Sequence, residues 1–388
     1  MLHYFFSGLG QTFLLSLFVA SFIESLQISN MQFSWYYSGA TLTSAFILPL
    51  AGKYLDRVKV RYFSLTIALM LILFSLIIAS MQHVLLLAMG LFGLRFCGQG
   101  LMILTGSTAT ARFFHEGRGK ALSLVSFGIS ASEFTLPLLV TGLIAAFGWR
   151  MTWVFLAAAV LIFFIPAIIR LIPLPSPYQL PSPEEVSAGS KKEGATRKEV
   201  LRDPKFYLLS LVNLWVAFFI TGVFIHQNLL ASAYGWSLPL MATGISVFGL
   251  TRFGANIFLG PVIDQFTATR CFSFVLIPLI LGSLLLILTQ AEWVVVAFFV
   301  LCGISGSLSS LTTTAMWAEV YGTAHLGAIR SVVSTFMVVA AALAPVLVGI
   351  GFSQTPFIIP TWWIMIGLMA LSTTISFIVV RNVKILKG

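Results

Sequence analysis

The sequence predicts an all-α membrane protein, with twelve transmembrane helices in two pseudo-symmetric six-helix bundles. Three observations carry that expectation. Of 388 residues, 59% are apolar and only 9% are Asp, Glu, Lys or Arg, against roughly 45–50% and about 25% in soluble domains. The apolar residues gather into twelve runs near the length of a bilayer crossing. A single long polar segment, residues 173–205, divides these runs six and six. So few charges cannot cover a water-exposed surface. The net charge of +10 reflects scarce acids and not a concentrated basic face, so no nucleic-acid partner is expected. Cys97, Cys271 and Cys302 form an odd set without CxxC or Cys/His spacing, and neither a disulfide framework nor a metal site is expected.

A helix crosses the hydrocarbon layer with roughly 20 mainly apolar residues. The first run, 4–23, has no basic region before it and no small-residue cleavage site after it, so it reads as a mature span. The others are 36–55, 62–80, 84–107, 120–147, 150–172, 206–230, 238–262, 272–290, 293–317, 328–352 and 358–380. These are spans 1 to 12 below. Residues 173–205 open Pro/Ser-rich and turn charged, a composition that buries too little apolar area to fold alone. The expected organisation is a bundle over 1–172, a linker over 173–205 and a bundle over 206–388. Lys and Arg concentrate in the loops after even-numbered spans and in the linker, placing 19 of 22 basic residues on one side. Only Arg150 falls on the other side, and Arg95 and Arg252 lie within spans. Basic loops stay cytoplasmic, so both termini are expected inside, in a bacterial inner membrane. Trp35, Trp149, Trp153, Trp236, Trp293, Trp362 and Trp363 fall near the outer ends, where indole rings suit the headgroup layer.

The two halves repeat. Gly52-Lys-Tyr-Leu-Asp56-Arg57 after span 2 is echoed by Gly260-Pro-Val-Ile-Asp264-Gln265 after span 8, Cys97-Gly98 by Cys302-Gly303, and Gly119 by Gly327, all at offsets near 208. Two related halves with a site at their interface is a common transporter architecture. The G-x-x-x-D-R motif with its basic cluster, its degenerate second copy, and Arg112-Phe-Phe-His-Glu-Gly-Arg118-Gly119-Lys-Ala121 resemble the signatures of the major facilitator superfamily, with a weaker similarity to its oxalate/formate and monocarboxylate branch. The resemblance implies the family fold, a monomer, and docking of Asp56 at the start of span 11 and of Asp264 at the start of span 5. Gly52, Asp56, Arg57, Arg61, Gly260, Asp264 and Arg270 would then form a conformational latch, a static cap being the plainer alternative. Gly52 is expected to admit a close helix, and Asp56, at the unfavourable end of its own helix dipole, to need a compensating partner.

Ionisable residues inside a membrane cost roughly 2.5–3.5 kcal/mol each on insertion scales, so they are functional candidates. Three lie mid-span: Arg95, Glu133 and Arg252. Arg95 and Glu133 match in depth, so an ion pair is expected, serving proton coupling or only helix packing. Ser123, Ser126, Ser130, Glu133 and Pro137 share one face of span 5. Arg252 has Asn256 one turn away but no acid nearby in its span. Its planar fork suits a substrate carboxylate, and snorkelling to the interface is the plainer alternative. Besides Arg252, the candidates for substrate contact are Arg95, Asn256, Gln11, Gln99 and His226. Glu319 and Glu116 are expected to be loop residues pairing with nearby bases.

No phosphate-binding loop, nucleophile elbow or metal-ligand cluster occurs, so neither an ATP engine, a cofactor nor an enzyme is expected. The expected function is secondary active transport of a small organic solute, a proton-coupled organic anion, by alternating access. The alternatives are an exporter of amphipathic compounds or a siderophore-like metabolite, and a non-transporting receptor or sensor on the same fold. The expected partners are the solute and the lipid bilayer.

Overall fold

Hydrocarbon offers no hydrogen-bond partner, so a spanning backbone must satisfy itself, and an apolar run becomes a helix. The computed structural model describes residues 1–55, 58–113, 118–172, 195–322, 325–352 and 355–382. All twelve apolar runs are helical there. Nine helices among the described residues are long and apolar enough to cross a bilayer. Leu2–Gly10 with Thr12–Leu26 forms a further span, bent by 45°. Spans 5 and 6 run together as Leu124–Leu171 and are parted at Gly148, whose φ of 77° is cheap only for glycine. Span 2 is the helix Asn30–Leu55. Most of the linker, residues 173–194, lies outside the described residues, as do Asp56, Arg57 and Glu116 and the side chain of Asp264.

The chain forms two compact units. The first is Met1–Leu180 with Phe224–Asn228 and Ser237–Gly249, and the second is Pro181–Val223, Leu229–Trp236 and Leu250–Gly388. The first thus holds spans 1 to 6 and short stretches of spans 7 and 8. Aromatic contacts fill its far end, opposite the linker: Phe18 packs on Trp153 at 4.7 Å and Phe22 on Trp149 at 5.4 Å. Trp153, expected at the lipid interface, is fully buried there, and so is Trp362 in the second unit, whereas Trp35, Trp293 and Trp363 are exposed as expected. Position along a helix sets an indole's depth, but the face it occupies decides burial.

Arg150 has a structural reason to be the one basic residue on the far side. Its Nη1 donates to the carbonyls of Ala79 (3.1 Å) and Met81 (2.8 Å) at the C-terminal end of span 3, and its Nη2 donates to Ser25 Oγ at 2.9 Å. The guanidinium also lies 4.2 Å from the Trp149 ring centroid. A cation is favoured at a helix C-terminus, where carbonyls lack amide partners. Arg150→Ala should cost about 2–4 kcal/mol, equivalent to one charged hydrogen bond plus the ring contact, because partners at this part-exposed end can turn to water. A thermal-shift measurement should show a fall of several degrees, with Arg150→Lys intermediate.

In the second unit, Phe206 packs on Trp317 and Phe219 on Phe298 and Trp362, joining spans 7, 10 and 12. The end of the linker docks on span 10. Ala195 N–H donates to the Tyr321 carbonyl at 2.8 Å, and the Tyr321 hydroxyl donates to Asp203 at 2.9 Å. Thr196 and Glu199 form a reciprocal cap on the helix Arg197–Val200. The Thr196 backbone amide and hydroxyl hold the Glu199 carboxyl below its ordinary range. Glu319 corrects an expectation. Instead of pairing with loop bases, its carboxylate accepts from the Ala268 and Thr269 amides (3.0 and 2.9 Å) and from the Thr269 hydroxyl, capping the start of span 9. Unsatisfied amides at a helix N-terminus are a ready anion site.

Candidate functional site

Span 1 is broken because its centre reads Ser7-Gly-Leu-Gly-Gln11. Two glycines lower helix stability by roughly 1 kcal/mol each relative to alanine. The helix Leu2–Phe6 gives way to a 3-10 turn over Ser7–Gly10, Gln11 is extended (φ −83°, ψ 153°), and helix resumes at Thr12. Span 4 answers with a π-helical stretch over Arg95–Met102, a distortion that recurs at functional sites. Gly10 and Gly98 then meet backbone to backbone. A Cβ on Gly98 would lie 2.6 Å from Gly10 N, and one on Gly10 would strike the Leu94 carbonyl. On another side, a Cβ on Gly8 would lie 2.7 Å from Ser132 Oγ of span 5.

Arg95 fills this junction and is 1% exposed. Its Nη1 donates to the Gly10 carbonyl at 3.1 Å and to Thr12 Oγ1 at 3.4 Å, and its Nε donates to Thr41 Oγ1 at 3.1 Å. Thr12 Oγ1 and the Tyr37 hydroxyl share a 2.8 Å bond, and the guanidinium sits 5.0 Å from the Tyr37 ring centroid. The break interrupts span 1's own hydrogen-bond ladder, and Arg95 supplies a charged donor at Gly10. The expected ion pair between Arg95 and Glu133 does not form. The depths match, but span 1 lies between, with Gly10 on span 4 and Gly8 on span 5, and its polar groups take the guanidinium. Gln99 is half-buried on the same π-helical stretch.

Glu133 is 5% exposed. It and Arg95 are the buried Asp, Glu, Lys or Arg side chains among the described residues. Span 8 crosses span 5 at this point: a Cβ on Gly249 would lie 2.5 Å from the Glu133 carbonyl carbon, 2.6 Å from Phe134 N and 2.7 Å from Glu133 Cβ. In the stretch of span 7 that belongs to this unit, Gln227 Nε2 donates to Ser16 Oγ at 2.9 Å, and Ser16 donates on to the Phe13 carbonyl. His226, 1% exposed, sits where span 7 breaks between Pro204–Ile225 and Gln227–Tyr234.

In the second unit, the stem of Arg252 runs along the bare backbone of Gly306 on span 10, where a Cβ would lie 3.4 Å from Arg252 Cδ and Nε. Ser307 Oγ donates to the Arg252 carbonyl at 3.1 Å. Asn256, one turn on, is half-buried, and its Oδ1 has no hydrogen-bond partner among the described residues. Of the latch set, Arg61 is half-buried and Arg270 exposed. Gly52 does not admit a tight contact: the nearest atom to a Cβ there is Leu104 Cδ2 at an ordinary 3.6 Å, and Gly260 has nothing within 4 Å. Tight contacts against another backbone are made instead at Gly10, Gly98, Gly128 and Gly249.

Tyr37, Thr41, Gly98, Gly249 and Ser307 were not among the expected site residues. Tyr37 and Thr41 were findable, since they stand four apart on one face of span 2. Nothing in the sequence marks which of 31 glycines carries a backbone contact.

Broken and π-distorted apolar helices, with buried charge at the breaks, define a polytopic membrane protein of the carrier type. The sequence profile of the Major Facilitator Superfamily matches residues 1–250 and 208–386. The chain belongs to that superfamily and is a membrane transporter. Two similar solved structures are those of a bacterial homolog of the human lysosomal transporter Spinster. Its inward-facing unoccupied form is 13% identical over 98% of this chain and 95% of that one, with a TM-score of 0.75. Its inward-facing occupied form is 14% identical with the same coverage and TM-score. Likeness at this identity speaks for the fold. Among curated proteins, none matches the sequence.

Proposed function

We propose that this transporter carries a small organic anion coupled to proton movement, by alternating exposure of one site to the two sides of the membrane. The observation behind this reading is Arg252, an arginine in the middle of span 8 whose stem lies on Gly306 and whose carbonyl is held by Ser307. A guanidinium fixed at that depth is suited to a carboxylate, and Asn256 Oδ1 beside it offers an acceptor. Glu133 is the proton-carrying group. It is buried and lies against a glycine of span 8, so a movement of that helix changes its surroundings. Arg95 is left out of the coupling step, because its donors serve spans 1 and 2. The linker side is cytoplasmic, as the basic loops suggest, and the protein sits in a bacterial inner membrane as a monomer. The loops after spans 2 and 8 act as the latch.

The test uses purified protein in liposomes, a panel of radiolabelled carboxylates, and an imposed pH gradient. Arg252→Lys should reduce uptake at least tenfold, because an ammonium cannot reproduce the bidentate fork. Glu133→Gln should retain exchange between the two sides while losing accumulation driven by the pH gradient. Uptake indifferent to both substitutions would overturn these roles.

A further inference from the structure

The break in span 1 does something specific to one side chain. Every residue from Phe6 to Ser16 is buried except Gln11. On a continuous helix, Gln11 would share a face with Ser7, Gly8, Leu14 and Leu15, all buried, with Gly8 against span 5. A glutamine amide there would lie in apolar packing with up to four hydrogen bonds to make. The extended backbone at Gln11 instead turns the side chain out of that face, and its amide makes no hydrogen bond to another described residue. Its neighbours are spoken for: Gly8 lies on span 5, Gly10 on span 4, and Thr12 bonds Tyr37 of span 2.

We propose that Arg95 is a positioning residue that locks the break at Gly10, and that the lock presents Gln11 to the solute passage as a hydrogen-bonding contact. Three observations support the lock: the Arg95 bonds to Gly10, Thr12 and Thr41, the Gly10–Gly98 backbone contact, and the burial of the guanidinium beneath both. The amide offers a donor and an acceptor and no charge, so its complement on the solute is a hydroxyl or amide group. A transported organic anion that uses this contact carries such a group besides its carboxylate. The solute contact rests on the transport reading above, whereas the lock does not.

Thiol labelling tests the lock without a known solute. Maleimides react with the thiolate form, which exists in water and not among acyl chains. In a Cys271→Ser background, which leaves only the buried Cys97 and Cys302, Gln11→Cys should react with N-ethylmaleimide at least tenfold faster than Leu9→Cys or Leu15→Cys. Adding Arg95→Met should shrink that ratio below threefold. Thr41→Val, which removes a single Arg95 bond, should give an intermediate ratio, and it decides the matter if Arg95→Met does not elute as one folded species. The lock is overturned if Gln11→Cys reacts no faster than its neighbours, as a lipid-facing thiol would. It is equally overturned if the ratio stays unchanged in a folded Arg95 or Thr41 variant. Any carboxylate that the liposome panel shows to be transported should slow labelling of Gln11→Cys, and unchanged labelling at saturation would remove the solute contact alone. A panel without a transported carboxylate would count against the anion reading and leave the labelling contrast intact.

Discussion

Gly10→Val should leave little folded protein, or lower the melting temperature by more than 10 °C. A Cβ at position 10 meets the Leu94 carbonyl, Gln99 N at 2.7 Å and Gly98 Cα at 2.9 Å. These are backbone atoms, so no side-chain rotation relieves the clash, and spans 1 and 4 must separate. Overpacking alone costs about 1–3 kcal/mol. Separation also breaks the Arg95 bond to the Gly10 carbonyl and leaves a buried guanidinium short of an acceptor, for about 1.5–3 kcal/mol more. Gly10→Ala should fall between wild type and valine. Gly142→Ala is the control: its Cβ would meet nothing within 4 Å, so the protein should be unchanged or slightly stabilised by the gain in helix propensity. Equal thermal-shift midpoints for Gly10→Val and Gly142→Ala would show that the contact between spans 1 and 4 is absent.

Gly249→Leu should cut uptake by tenfold or more. The new side chain would be driven into the backbone at Glu133 and Phe134, 2.5 and 2.6 Å away. Span 5 must then shift, and the buried Glu133 shifts with it. Gly254→Leu, on the same helix with open space around it, should remain within about twofold of wild type, since a surface substitution away from a packing contact changes stability by about 0.5 kcal/mol or less. The measurement is initial uptake in liposomes, normalised to protein that elutes as a single species. Equal rates for the two leucine variants would mean that spans 5 and 8 need no close approach during transport.

Much of the fold was legible in the sequence because a bilayer leaves so few options. Apolar runs near 20 residues long read directly as helices. Arg95, Glu133 and Arg252 announced themselves by being charged in apolar surroundings. Their partners did not. Depth along a helix follows from residue count, and by that measure Arg95 and Glu133 looked like neighbours. Direction around the helix axis was lost where span 1 unwinds and span 4 turns π-helical, because the periodicity that assigns faces assumes 3.6 residues per turn. Glu319 was misplaced for a related reason: its partners are backbone amides of another span, which carry no sequence signal.

Composition and spacing by themselves determined that this chain crosses the membrane many times and that it repeats, because lipid imposes its demands on every residue of a span alike, and the resemblance of its loop motifs pointed to a transporter family. Only the tertiary structure decided that Arg95 closes on a carbonyl of span 1 and not on Glu133, and that Gly10, Gly98 and Gly249 each meet another backbone. Those choices depend on which helix happens to lie between two others, and on where a backbone breaks to let it in.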